Sequence, residues 1–359
     1  MACDPMPTTY GPGRPPVLLA RELSKRGFNV LVAAPLVAKE VAAVLASCGV
    51  DVVGRVKNPR GSSDSLTWLQ EWLSEAVMPS KARSFGLEHA NVNMSNTVLI
   101  RADIWYAQGP PSRALSAIWP QMPFSYRLAY ISLAPLLKAL DIRLSRRMGR
   151  LSGVVIANSR FCAELYESLG VGVEGFIYPP LDCDVFRPST TSPSEDYVVT
   201  YFGKEADFTL IKAVADRGVF VKAFGFKLRQ IVPNSLLKHP NVEVLRRLTD
   251  EELCDLYSNA LFTLFASTHE PFGYVAIESM ACGTPVLVYG REGPGETVLD
   301  GITGWHARDR REILSKAIRI WRDGYDERMR KACRARALEF DVSNIINSWL
   351  KLFNDLEVL

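Results

Sequence analysis

The stretch FTLFASTHEPFGYVAIESMACGTPVLVYGREGPGETVLDGITGW, Phe262 to Trp305, decides the fold. It is entered through an apolar run, Leu261 to Phe265, of the kind carried by a strand buried on both faces of a parallel sheet. Ser267-Thr268-His269-Glu270-Pro271-Phe272-Gly273 is a polar turn closed by a proline and a glycine. From Tyr274 to Cys282 the spacing is helical, with Tyr274, Ile277, Glu278 and Ala281 on one side. Gly283 stops the helix, and Thr284 to Val288 reads as a second short buried strand. This order predicts an α/β chain whose loop aims backbone N–H groups and a helix N-terminus above the strand ends, a place suited to an anion. Two carboxylates mark the unit: Glu270 in the loop and Glu278 eight residues on, in the helix.

Glu270 and Glu278 at this spacing, with Pro-Phe-Gly after the first and Ala-Cys-Gly-Thr-Pro-Val after the second, resemble the nucleotide-sugar signature of glycosyltransferase family 4. Two glutamates at a given spacing carry little by themselves, and their bland reading is one capping and one solvated carboxylate. Embedded in the surrounding motif they are specific. The resemblance implies the GT-B fold: two facing Rossmann-like doubly wound parallel-sheet domains and a C-terminal helix that crosses back. It also implies sugar transfer with retention of configuration. It is close from Asn241 to Trp305, less close from Val154 to Gly203, and faint before that.

The resemblance assigns roles residue by residue. Glu278 would hold the donor ribose and Glu270 a hydroxyl of the moving sugar, with the amides from Phe272 and Gly273 to Tyr274 and Val275 facing sugar and phosphates. Gly203-Lys204 stands where relatives carry Gly-Arg, the first of two cations on the donor diphosphate; Glu270 and Lys204 are therefore the candidate catalytic residues. The second cation falls in Glu205 to Thr209, which has none, and Lys212 is the available substitute. Arg246, beside Arg247, would border the nucleobase. Gly295 and Glu296 lie in a second helix-start loop, Gly293 to Thr297. Gly11 and Gly13 form a glycine turn that in relatives lies against donor phosphates and acceptor, although a loop needing positive φ explains them equally. Tyr106 and Gln108 offer the polar groups where relatives place a histidine. The donor sugar nucleotide is a co-substrate, and no cofactor or metal is expected.

Composition narrows the alternatives. At 359 residues the chain suits two domains, and its net charge of +3 is too small to argue for nucleic-acid binding. Up to Pro188 it carries 20 Lys and Arg against 15 Asp and Glu, and beyond it 22 against 24, so the front half is mildly basic. Seven scattered cysteines without a C-x-x-C pair suit free thiols in a reducing compartment, and four unclustered histidines speak against zinc. There is no apolar run of membrane-spanning length and no visible signal peptide, so the expected location is the cytoplasm, with contact at the cytoplasmic face of a membrane.

Along the chain, Arg14 to Lys25 reads as a helix and Phe28 to Ala34 as a strand. A doubly wound sheet wants a strand before that helix; either the chain start is late or Met1 to Cys3 supply the tail of a short strand. A linker over Lys57 to Asp64 and a helix over Leu66 to Val77 follow, then strand-like runs at Thr97 to Ile100 and Asp103 to Tyr106. From Pro120 to Arg150 an aromatic and aliphatic stretch runs into Lys138, Arg143, Arg146, Arg147 and Arg150. This is either an amphipathic element touching a membrane and a polyprenyl phosphate or a packed helix pair with solvated arginines. The expected domains are 1–190 on the acceptor side and 191–344 on the donor side, with a helix over 345–359 returning to the first. The leading reading is a retaining hexosyltransferase that moves a hexose from a nucleotide-diphosphate sugar to a glycan or polyprenyl-phosphate-linked acceptor. A catalytically silent GT-B partner subunit and a GT-B epimerase or phosphorylase are the alternatives.

Overall fold

Every pair of adjacent strands runs parallel in this computed structural model, which describes residues 1–9, 11–57, 72–73, 90–118, 124–203, 206–225, 232–245 and 248–358. The chain divides into two units. Unit 1 holds Met1–Arg113, Leu128–Pro180 and Val342–Leu359; unit 2 holds Ala114–Arg127 and Leu181–Asp341.

Unit 1 begins with Met1–Met6, an extended segment, and a single 3-10 turn at Gly11–Gly13. Helix α1 (Arg14–Lys25), β1 (Leu31–Ala38), α2 (Lys39–Ser47) and β2 (Asp51–Lys57) follow. Next come β3 (Val92–Asn93), β4 (Ala102–Ala107), α3 (Pro111–Ile118), which counts with unit 2 from Ala114, α4 (Phe124–Leu151), which counts with unit 1 from Leu128, β5 (Ser152–Ala157), α5 (Arg160–Ser168) and β6 (Gly175–Phe176). The first strand does exist. Met1–Met6 lies between β1 and β3: Cys3 N donates to Ala33 O on one side, and Ala2 N donates to Val92 O on the other, both at 2.8 Å. It thereby joins β2-β1 to β3-β4-β5-β6 in one sheet. Two expected features differ. The strand expected at 28–34 begins at Leu31 and runs on to Ala38. The run expected at 97–100 is a turn instead, because Asp4 accepts from the backbone of Asn96 and Thr97 and from the hydroxyls of Ser95 and Thr97. The expected linker at 57–64 and helix at 66–77 fall outside the described residues, except for Lys57, Trp72 and Leu73.

Unit 2 carries β7 (Val198–Tyr201), α6 (Phe208–Ala215), β8 (Val221–Phe224), α7 (Asn234–Leu237), β9 (Val242–Val244) and α8 (Asp250–Asn259). Then come β10 (Phe262–Phe265), α9 (Tyr274–Ala281), β11 (Val286–Tyr289), α10 (Glu292–Thr297), β12 (Gly304–Ala307), α11 (Arg310–Asp323) and α12 (Arg328–Leu338). The sheet order β12-β11-β10-β7-β8-β9 reverses direction between β7 and β10. Open α/β sheets bind ligands outside the carboxyl ends of the strands at such a reversal. Thr249 caps α8 in a full capping box with Glu252, as the sequence suggests.

The last helix, α13 (Val342–Asp355), belongs to unit 1, where Ile345, Ile346, Trp349 and Phe353 join the core and Trp349 meets Tyr106 edge-on at 5.1 Å. Against the expected limits at 190 and 344, the chain changes unit after Pro180 and after Asp341. Leu181 N donates to Phe340 O at 2.8 Å and Cys183 N to Asp341 Oδ2 at 3.0 Å, which ties the stretch after Pro180 to unit 2.

Candidate active site

In unit 2 the polar groups gather on loops after β7, β10 and β11. Residue 273 must be glycine: its φ is +98°, left-handed, and it starts α9 directly over the end of β10. Glu270 folds back onto this helix start. Its Oε1 accepts from Gly273 N at 3.0 Å and from Phe272 N at 3.4 Å. The amides of Phe272 and Gly273 therefore serve Glu270, where the resemblance had them facing sugar and phosphates. The Phe272 side chain is buried edge-on against Tyr274 and Phe340, and Val275 is buried as well. Tyr274, the first residue of α9, stays partly open.

Glu278 lies one turn beyond Tyr274 on α9, 7 % exposed, and accepts a hydrogen bond from the Tyr257 hydroxyl of α8 at 3.3 Å. Arg334 of α12 closes the other end of α9 by donating to Ala281 O at 3.0 Å, a cation at a helix C-terminus. The two carboxylates thus have different settings: one caps a helix start, the other is held by a tyrosine on a buried helix.

The loop that carries Glu270 is laced to the next one. Glu270 N donates to Glu292 Oε2 and Gly293 N to Glu270 O, both at 3.0 Å. His269 and Glu292 both adopt left-handed φ, +65° and +59°, a strained choice for side chains with a Cβ. Gly293 and Gly295 lie inside α10, so the stretch expected as a helix-start loop, Gly293 to Thr297, is itself helical. A methyl at Gly293 would stand closer than 3.0 Å to backbone atoms of Phe272 and Pro271, and one at Gly295 closer than 3.0 Å to Gly290. Glu296 is half-buried, and its carbonyl accepts from Arg336 at 3.0 Å.

Gly203 follows β7, on the other side of the sheet reversal. A side chain there, or at Gly225 after β8, would overlap the Tyr201 ring lying between them. Thr200, Tyr201, Ala206, Phe265 and Ser267 gather around the carboxyl ends of β7 and β10, with no water-sized space left between them. Ser267 is 7 % exposed, and its hydroxyl has no hydrogen-bond partner among the described residues. Lys204 and Arg246 lie outside the described residues. The Lys212 ammonium pairs with Asp216 at 2.7 Å, at the C-terminal end of the same helix, and both side chains are exposed. Arg291, which the sequence reading passed over, extends from the end of β11 with its guanidinium over the Tyr289 ring at 4.8 Å. Tyr257, Glu292 and Ser267 were missed as well. Only Ser267 had a sequence signal, its place at the head of the quoted motif.

In unit 1 the carboxyl ends of β3, β4 and β5 carry a second polar network. Gln108 N donates to Asn96 Oδ1 at 3.1 Å, Gln108 Nε2 donates to Met94 O at 2.9 Å, and Asn158 Nδ2 reaches Gln108 O at 3.4 Å. Burial pushes the Asp4 carboxyl above its ordinary range, although the donors from Ser95, Asn96 and Thr97 pull it down. Tyr106 is not an open polar group here. It is fully buried, and its hydroxyl donates to Ile177 O at 2.8 Å. Gly11 takes φ +57°, whereas Gly13 is right-handed and is glycine because a Cβ would press on Thr8 O. Among the described residues no group of His, Cys, Asp and Glu could hold a metal ion, and no helix is long and apolar enough to cross a membrane.

Comparison with known proteins points the same way. Residues 232–339 match the family model of the glycosyl transferases group 1. A D-inositol 3-phosphate glycosyltransferase of Rhodococcus erythropolis is 34 % identical over 149 residues, 35 % of this chain and 33 % of that protein. A glycogen synthase of Chlamydia muridarum is 26 % identical over 202 residues, 53 % of this chain and 40 % of that protein. The chain thus spans less than half the length of each of these curated relatives. Among solved structures, Anabaena Alr3699/HepE in complex with UDP-glucose superimposes with a TM-score of 0.65 at 19 % identity, over 99 % of this chain and 98 % of that one. Sucrose-phosphate synthase from Thermosynechococcus elongatus gives 0.65 at 16 %, again over 99 % and 98 %. Likeness over nearly the whole of both chains at such low identity is likeness of fold, and the fold is GT-B.

Proposed function

We propose that this chain is a glycosyltransferase of family 4 type, which moves a hexose from a nucleotide-diphosphate sugar to a glycan or lipid-linked acceptor with retention of configuration. One observation carries the reading: Glu270 stands before and Glu278 within a glycine-started helix at the sheet reversal of unit 2, inside the stretch that matches the glycosyl transferases group 1. The HepE complexes with UDP and UDP-glucose support a nucleotide-sugar donor by likeness of fold.

The chemistry follows from the leaving group. Departure of a nucleoside diphosphate needs its growing negative charge met and an acceptor hydroxyl held against the anomeric carbon. The first turn of α9 and nearby cations such as Arg291 supply positive charge, so no metal is required for this step. Glu278, fixed by Tyr257, binds the donor ribose. Glu270 leaves the amides of Phe272 and Gly273 to take a hydroxyl of the sugar. The leaving phosphate accepts the acceptor's proton on the face it departs from, which gives retention without a covalent nucleophile. The acceptor side belongs to unit 1, with the Gly11 turn and the Gln108 network at its strand ends. In this reading the protein works in the cytoplasm at a membrane face.

A thermal-shift panel of nucleoside diphosphates and nucleotide sugars tests the proposal, because a ligand bound only by the native state raises its stability. One nucleotide series should stabilise the wild type without added divalent metal. In Glu278→Ala that stabilisation should weaken by about 1–3 kcal/mol, the cost of unmatched polar groups. Equal shifts in wild type and variant remove Glu278 from the site. Donor binding without any hydrolysis or transfer, over a range of acceptors, would favour a silent subunit.

A further inference from the structure

Helix α4 has two faces of different kinds. Asp141, Leu144, Ser145 and Met148 are buried on one. On the opposite side and its flanks Leu128, Ile131, Leu133 and Leu136 stand 49–57 % exposed within three turns, together with Ser132, Pro135 and Ala139. They are four of the twelve large apolar side chains that are exposed among the described residues, so they form a patch and not a scatter. The same side then turns cationic: Lys138, Arg143, Arg146 and Arg150 are exposed along the remaining turns. The only acid of the helix, Asp141, is buried on the other face, so this charge has no acid within the helix to offset it.

The segregation runs along the helix axis. Behind one exposed cation, Arg127, an apolar segment of about 12 Å is followed by a cationic one of about 18 Å, taking 1.5 Å per residue. A helix lying flat in a membrane separates apolar from polar around its circumference. One with an apolar segment ahead of a basic one fits a surface met at a slant, with Leu128 to Leu136 among acyl chains and the arginines on either side level with the phosphates.

We propose that this side of α4 docks the protein on an anionic lipid bilayer, with Leu128, Ile131 and Leu136 inserted and Lys138, Arg143 and Arg150 at the head groups. The succession of leucine and arginine sites explains why both the apolar and the charged residues are left open to solvent. This deepens the membrane clause of the reading above, and vesicle binding is scored without donor or turnover, so either can fail while the other stands.

The experiment is co-sedimentation with vesicles of phosphatidylcholine alone and of phosphatidylcholine with a third phosphatidylglycerol, at low and high salt. The wild type should bind the anionic vesicles and lose most of that binding at high salt. The variants Leu128→Ser/Ile131→Ser/Leu136→Ser and Lys138→Gln/Arg143→Gln/Arg150→Gln should each lower the partition coefficient by about tenfold or more. Both should melt as the wild type does, since every substituted side chain is exposed. Sedimentation velocity without lipid distinguishes the other occupant. A dimer that the serine variant dissociates, with no vesicle binding, overturns the proposal in favour of a second copy on this face. Equal binding to neutral and anionic vesicles, or binding that both variants retain, overturns it too.

Discussion

Gly293→Ala is a sharp test of the lacing between the two donor-side loops. The added methyl would approach the N and Cα of Phe272 and the carbonyl oxygen of Pro271 to less than 3.0 Å, where ordinary contact lies at 3.4–4 Å. All three obstacles are backbone, so no side chain can swing away. The loops must part by about 1 Å to restore ordinary contact, and the 3.0 Å bond from Gly293 N to Glu270 O lies across the gap. Overpacking of this kind costs about 1–3 kcal/mol. Weakening one hydrogen bond adds about 1 kcal/mol. At about 2–4 °C per kcal/mol for a domain of this size, the expected loss in Tm is about 5–15 °C. Thermal unfolding reads the stability, and the shift induced by the best nucleotide from the panel reads the site. That shift should fall as well, because Glu270 and the start of α9 move with the loop. Gly172→Ala is the control, since a Cβ there meets nothing within 4 Å. If Gly293→Ala melts with the wild type and keeps its nucleotide shift, the two loops are not locked and the account of the site is wrong.

Three further outcomes are expected. Ser267→Ala removes a buried hydroxyl that has no hydrogen-bond partner among the described residues, so stability should hold or rise by up to about 1 kcal/mol while the nucleotide Kd increases. A marked loss of stability would show that Ser267 is already partnered within the protein. Burial pushes the Asp141 carboxyl from 3.8 up to about 6. The folded chain then keeps a proton that the unfolded chain has released, so this group's contribution is intact at the acid end and is lost as pH rises through 6. At 1.36 kcal/mol per pH unit the loss is about 3 kcal/mol. Asp141→Asn should therefore gain on the wild type across that window in denaturant unfolding, and a flat difference between the two curves would refute it. Thr249→Ala breaks the capping box of α8 and should lower stability by about 1 kcal/mol, with Thr249→Ser retaining most of it; an unchanged midpoint would mean the box contributes nothing.

The residues from 261 to 289 were read almost to their true limits because every boundary there is marked locally, by a buried apolar run, by Gly273 or by Gly283-Thr284-Pro285. The sequence failed where the cause is tertiary. Val92–Asn93, two residues with Asn91 before them, is a strand only because Met1–Met6 lies along one side and β4 along the other. Gly293 to Thr297 reads as a helix-start loop, yet the whole stretch winds into α10, with Gly293 against Phe272 and Gly295 against Gly290. Lys212 pairs with Asp216 one turn on, a contact the sequence does not announce. Glu270 shows the same limit within the site. The motif singles it out, but only the coordinates show it bonded to its own helix start.

Unit 1 is assembled from distant parts of the chain: its sheet is centred on the opening residues, and its core is completed by Trp349 and Phe353 of α13. On the ribosome, therefore, unit 1 is completed only after residues 181–341 have been made. Residues 181–341 can be packed and stable while Tyr106 still lacks the indole that covers it. The order of folding is inverted with respect to the order of synthesis, and an unfinished apolar surface must be kept from other chains until the last helix arrives.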